Sequence, residues 1–408
     1  MKLNFLKSNK KNIFMYIVLT FACLDTITRL PMNSGISIFR ILSVIILLYG
    51  IFYKNFKLKK AYLFMIGVFI YSLLMVLIWD GSIAMHINNF IHWLFIFAIF
   101  VCMIILKNSN NFKRNFLIFL DIFTLVTIVI FYIEYFTGLR FFQLFTAGYD
   151  LPSVFYYGIN DCASALVAVG VLYILEFVNE YNIFNLIKCI IIIITIFLLG
   201  ARASVLVLGV AILLVCILKI MKSIVDKKKR NLFLLGMLVF IIAIIIINPT
   251  IDDETLVELI AKPLIQIFKL EVIDTRGSVT IRATAIVLGL KELIRTFGFG
   301  IGLGNCTLML TRQGFSTLGS MHNMLIQVWT ELGWFSIFMF YKLISKTIKK
   351  YKNDVKQKRK NSKSYYGLIM LIIAPLLGMQ SSEGLLSIYI VWMTMFYAFL
   401  ITFDNSED

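Results

Sequence analysis

The chain has 408 residues, of which 60% are hydrophobic and 15% charged, with a formal net charge of +17 and a mean hydropathy of +0.90. Soluble domains average roughly 45 to 50% apolar residues, so the composition excludes a soluble globular protein and points to a polytopic all-α membrane protein. The basic residues gather in alternate loops, which is the positive-inside pattern of a membrane protein and argues against a nucleic-acid surface.

A hydrocarbon core about 30 Å thick needs about 20 apolar residues per helical span. About twelve such runs can be placed, near 12–29, 36–53, 61–79, 90–106, 115–137, 158–178, 183–200, 203–220, 231–248, 321–342, 365–380 and 385–403. Runs such as Ile190 to Leu199 show no alternation, so helices and not barrel strands are expected. The expectation is one membrane domain over 1–408, with both termini in the cytoplasm and one large extracytoplasmic loop, 249–320, between spans nine and ten. Basic clusters at the cytoplasmic ends would face anionic lipid headgroups.

In chain order, Lys2, Lys7, Lys10 and Lys11 precede span one, and no small-residue cleavage site ends its apolar run, so the span is expected to be retained. Asp25 and Arg29 near its outer end have i,i+4 spacing and are expected to pair. The short outer loop 80–89 holds His86, and His92 begins span four; their spacing does not suit a metal, and both read as hydrogen-bonded bystanders. After span five, with Asp121 and Glu134, the aromatic-rich loop 138–157 suits an interfacial belt or a stacking surface for sugars. Asn160 or Asp161 is the expected N-cap of span six. Spans seven and eight meet in the tight turn 199–204, where Arg202 is the sole charge. It can snorkel to lipid phosphate or, beside the positive N-terminus of span eight, seat a phosphate group.

The long loop starts with Asp252, Asp253 and Glu254, which suit the first turn of an amphipathic segment over 255–264 better than a metal site. A second helix is expected over 278–297, with Arg282 near its start and Ile281, Ala285, Leu288, Leu293, Ile294 and Phe297 approximating one face. Gly298, Gly300, Gly302 and Gly304 then alternate with Phe299, Ile301 and Leu303. They do not fit the dinucleotide fingerprint. Glycine at every second place lets the backbone approach another surface closely, either to pack the loop on the membrane helices or to contact substrate. His322 and Asn323 stand where the chain re-enters the membrane, and Glu331 lies roughly 13 Å deeper on the opposite helix face, so it is not expected to partner His322. A basic cytoplasmic loop, 342–363, and a tight outer turn, 380–384, flank span eleven. Of six cysteines only Cys306 falls in the loop, and all read as inert thiols.

The order and membrane side of these motifs resemble the bacterial O-antigen polymerase and O-antigen ligase family, which includes teichuronic acid polymerase-like proteins. The likeness rests on Gly200, Arg202 and Ser204, on Arg282 ahead of Gly300, Gly302 and Gly304, on His322 and Asn323, and on Glu331 with Gly333. Asn160 and Asp161 resemble the Asn-Pro-Asn-Asp signature of the polymerases, without its proline. The resemblance implies transfer of a glycan from an undecaprenyl pyrophosphate carrier to an acceptor sugar hydroxyl, at the outer face of the bacterial cytoplasmic membrane. A polymerase of O-antigen, capsule, exopolysaccharide or teichuronic acid type is the favoured reading. A ligase moving a finished glycan to lipid A-core or protein is the alternative. A flippase for lipid-linked oligosaccharides is a second one, which repeated halves with broken helices would mark.

On the same resemblance Arg202 and Arg282, with Arg276 as a third, bind the pyrophosphate, whose leaving charge suits arginine's planar fork. His322 is the general base, and Asn323, Gly300, Gly302, Gly304, Glu331, Asn160 and Asp161 support the site. No acidic cluster suggests a metal, and no cofactor is expected; the arginines take the role of a divalent ion. Inversion follows from the family likeness and from a single displacement. The expected partners are the lipid-linked donor and acceptor, membrane lipids and a chain-length regulator, without nucleic acid.

Overall fold

Helices that are apolar on every side can bury themselves only in a core or in lipid, and such helices recur through the described residues. In the computed structural model the described residues are 2–28, 37–53, 56–109, 111–141, 152, 154–156, 158–223, 269, 278–315, 321, 323–357, 363–378, 386 and 388–403. Among them the regular elements are all helical: α1 (Lys2–Cys23), α2 (Ile38–Phe52), α3 (Phe56–Trp79), α4 (Ile83–Lys107), α5 (Phe112–Thr137), α6 (Ile159–Glu180), α7 (Ile183–Leu198), α8 (Arg202–Ser223), α9 (Ser278–Arg295), α10 (Cys306–Arg312), α11 (Met324–Lys356), α12 (Tyr365–Gly378) and α13 (Tyr389–Thr402). Four contain segments long and apolar enough to cross a bilayer, Leu58–Trp79, Ile83–Lys107, Phe112–Thr137 and Ile159–Glu180. The protein is therefore membrane-embedded. The ninth expected span, 231–248, lies outside the described residues.

Short polar residues mark the starts. Ser37, Ser82 and Asn182 accept from the amides of Arg40, Met85 and Phe184 at 3.2, 3.3 and 3.0 Å, satisfying donors that a helix leaves open. The N-cap of α6 is Gly158, with no side-chain cap bond; Asn160 and Asp161 fall inside its first turn, and Asp161 is buried. This corrects the expectation that one of them caps the helix: extended backbone at Gly158 already starts it. Asp25 pairs with Arg40 of α2 at 3.4 Å, while its expected partner Arg29 lies outside the described residues.

α6 is the hub. Nearly all of it is buried, and α7, α8, α12 and α13 pack around it. On the other side α4 gathers α1, α2, α3 and α13, so α13 joins both groups into one core. α3 and α5 are the least buried of the four long apolar helices, as the lipid-facing rim of a bundle must be. The expected tenth span over 321–342 differs in two ways. α11 is broken at Gly333, with φ 56° and ψ −143°, and continues through the lysine-rich stretch to Lys356. Its extension is held because Thr347, Tyr351 and Asp354 are buried, and the Tyr351 hydroxyl donates to the Leu218 carbonyl at 2.8 Å.

Candidate functional site

The break in α11 explains the alternating glycines. In an unbroken helix the carbonyls of Thr330 and Glu331 would accept from residues 334 and 335. At Gly333 the chain turns away, and the strap formed by 298–305 supplies the missing partners. Ile301 donates to the Thr330 carbonyl at 3.0 Å and Gly302 to that of Glu331 at 2.9 Å, while the Trp334 amide donates to the Gly298 carbonyl at 2.6 Å. The strap then runs against α3 and α4. A Cβ at Gly300 would stand 2.6 Å from the Glu331 carbonyl, one at Gly302 2.7 Å from that of Ser72, and one at Gly304 2.5 Å from that of Met85. All three glycines have φ between 80° and 85°, open to glycine without cost. Between them, Ile301 enters the apolar cluster of the loop helices and Leu303 the cluster with Val68 and Leu332. The strap thus rivets α9 and α10 to the membrane bundle.

Side chains complete the rivet. The buried Glu331 carboxylate faces the amides of Gly304 and Cys306 and the Cys306 thiol, with Gln327 Nε2 at 3.4 Å. Burial first, and then Glu331, pushes the Cys306 thiol far up. Asn305 accepts from the Ser82 amide at 2.8 Å, tying the strap to the turn between α3 and α4. Glu331 and the three glycines meet at one point, as sequence order alone does not require. His86 is packed there too, its ring on Phe69 and Phe90.

α9 is laid across the start of α11. A Cβ at Gly289 would stand 2.3 Å from Met321 Cε and 3.1 Å from Ile326 Cγ2, on either side of the re-entry point. Arg282 lies two turns away on α9, about 10 Å along the axis. It is half-buried and has no carboxylate or hydrogen-bond partner among the described residues, and burial lowers its guanidinium pKa. A desolvated cation of this kind favours an anion. Asn323 caps α11, accepting from the Ile326 amide at 3.1 Å.

The remaining expected residues fall elsewhere. His322 and Arg276 lie outside the described residues, as do Asp252, Asp253 and Glu254. Arg202 opens α8, and its side chain lies outside them. α6 and α8 pack on each other, and a Cβ at Gly170 would stand 3.5 Å from Leu208 Cδ1. Asp161 lies nine residues before Gly170 in α6, and Arg202 six residues before Leu208 in α8. No hydrogen bond or ion pair among the described residues joins Arg282 to that group.

Residues not singled out from sequence also converge. The Trp79 indole donates to Glu292, which holds Arg295 through Nε at 3.0 Å and through Nη2. Arg312 lies over the Trp79 ring at 4.6 Å and donates to the Asp80 carbonyl at 2.8 Å. The i,i+3 spacing of Glu292 and Arg295 was a signal for their pair; nothing in sequence placed Trp79 beside it. No family model, curated protein or solved structure matches the chain.

Proposed function

We propose that this protein is a membrane glycosyltransferase of the polysaccharide-polymerase type. It takes a glycan from a polyprenyl pyrophosphate carrier and joins it to an acceptor sugar hydroxyl at the outer face of the bacterial cytoplasmic membrane. In this reading the chain has about twelve spans and cytoplasmic termini, and 249–320 is extracytoplasmic. The observation that carries it is Arg282. A half-buried guanidinium with no partner among the described residues, on a helix clamped to the chain on both sides of His322, is what an anionic leaving group beside a general base requires. Arg282 and Arg202 bind the pyrophosphate, with Arg276 as a third. His322 takes the acceptor proton, since an imidazole with pKa near 6.5 is matched to that task. Inversion follows from the single displacement.

The glycine strap and Glu331 have a positioning role here. They fix α9 on α11 so that the arginine and the base keep one geometry, which oriented catalysis needs. The test is transfer by the purified protein from an undecaprenyl pyrophosphate-linked oligosaccharide, in EDTA, with lengthening of the lipid-linked glycan as readout. Lengthening that falls about 10- to 100-fold in Arg282→Lys supports the proposal. Full activity of that variant, or activity that requires added Mg²⁺ or Mn²⁺, overturns the mechanism.

A further inference from the structure

A cleft of about 510 Å³ lies beside the strap, with Gly300 in its lining, between the end of α3 and the turn that follows α9. That volume is typical of small-molecule sites, which span about 300–1,000 Å³. Met75, Ile78 and Trp79 form one wall, Phe297 and Phe299 the other, and Arg295 stands at the rim. Because α3 contains a 22-residue apolar segment ending at Trp79, the cleft sits at a bilayer interface whichever way the helix points, where tryptophan is at home. The surrounding side chains suit lipid and not water: Ile78 is 77% exposed, Phe297 83% and Trp334 60%. Phe297 has φ 52°, a conformation that bulky residues seldom adopt, and it turns outward from the helix end.

The polar groups of the cleft say what can bind. The carbonyls of Phe297 and Phe299 already accept, from Trp334 Nε1 at 2.9 Å and from the Tyr71 hydroxyl at 2.7 Å. Thr296 Oγ1 donates to the Glu292 carbonyl at 3.0 Å and accepts from the Gly300 amide at 3.2 Å. These acceptors are engaged, so the cleft is poorly equipped for a hydroxyl-rich sugar. What remains is Arg295, 65% exposed at its side chain, with Nε and Nη2 bound to Glu292 and the Nη1 edge open among the described residues. An apolar slot with one open guanidinium edge fits an amphiphile with an anionic head.

We propose that this cleft seats a membrane phospholipid. One acyl chain lies between α3 and the turn after α9, and the phosphate meets the Nη1 edge of Arg295. Bound there, the lipid would brace the junction through which the strap leaves α9.

The test uses the full chain in detergent micelles, with a phosphatidylglycerol brominated on one acyl chain as a quencher of tryptophan emission. Trp79→Phe identifies the share of the signal that arises at the cleft. The expected result is saturable quenching that Trp79→Phe largely removes and that inorganic phosphate at millimolar concentration does not relieve. Arg295→Gln is expected to weaken binding about tenfold, by loss of a charge-assisted contact. Because that change also strips Glu292 of its partner, Met75→Phe, which fills the slot and leaves the pair alone, is the second variant and should weaken binding similarly. Three results would overturn the proposal: quenching that rises linearly with lipid and ignores both variants, displacement by inorganic phosphate alone, or displacement by a polyprenyl phosphate at lower concentration than by any phospholipid.

Discussion

Alanine at Gly302 tests the rivet most sharply. Its Cβ would stand 2.2 Å from Val76 Cγ2, 2.7 Å from the Ser72 carbonyl oxygen and 2.9 Å from the Val76 amide nitrogen. Two of the three are backbone atoms of α3 and cannot turn aside, so overpacking costs about 1–3 kcal/mol. The φ of 82° adds about 1–2 kcal/mol for any residue with a Cβ. Displacing the strap also strains the 2.9 Å bond from the Gly302 amide to the Glu331 carbonyl, a net contribution of about 0.5–1.5 kcal/mol. Together these amount to about 2.5–6.5 kcal/mol, a large fraction of the stability of an ordinary protein. Gly314 is the internal control: its φ is 87°, but nothing lies within 4 Å of its Cβ position, so alanine there costs only the conformational term, about 1–2 kcal/mol. Both variants are heated in detergent, and the surviving monodisperse fraction is measured by fluorescence size exclusion. Gly302→Ala should lose its folded form at a clearly lower temperature than Gly314→Ala. Equal midpoints, or the reverse order, would refute the strap as a structural rivet.

Arg282→Lys keeps the charge but loses the planar fork, and transfer assayed with the lipid-linked donor should fall about 10- to 100-fold. His322→Ala should lower transfer by about 10² to 10⁴-fold while the protein elutes as wild type in size exclusion. Asn323→Ala removes the cap bond to the Ile326 amide and should cost about 1 kcal/mol, seen as a small drop in thermal midpoint without loss of expression. In intact cells a membrane-impermeant maleimide should label Gln313→Cys, which is exposed, and not Asn361→Cys; the native Cys306, buried and with its thiol held protonated, should stay silent throughout.

Periodicity and composition made much of the helical architecture legible, because a run of about 20 apolar residues has few other ways to satisfy its backbone in lipid. The helix carrying Arg282 was expected over 278–297 and ends at Arg295. Its inward face was only partly legible. Ala285 and Leu288 are buried as the spacing implied, whereas Ile294 and Phe297 point outward. A periodic pattern shows which residues share a face but not whether lipid or protein covers it. The break at Gly333 was hidden for a related reason. Glu331 and Gly333 lie in a run that reads as one helix, and the strap that makes the break tolerable is about thirty residues upstream. Asp25 pairs with Arg40, fifteen positions on, a contact that i,i+4 spacing does not reach, while its expected partner Arg29 lies outside the described residues.

Two roles for the alternating glycines were open from sequence, packing or direct substrate contact, and the hydrogen bonds separate them. Glycine-rich loops that cradle phosphate do so with unoccupied amides. From Gly298 to Gly302 every amide already donates inside the protein: to the carbonyls of Leu293 and Thr296, to Thr296 Oγ1, and to the carbonyls of Thr330 and Glu331. The amide of Gly304 faces the Glu331 carboxylate. A phosphate arriving at this stretch would have to displace those partners. In the proposed mechanism anion binding therefore falls to side chains, and Arg282, half-buried without a partner among the described residues, is the proposed one. The glycines act one step removed. They let the loop come close enough to the broken helix to hold the helix that carries Arg282, so under the proposed mechanism a methyl group at Gly302 should lower transfer in the lipid-linked donor assay through that helix.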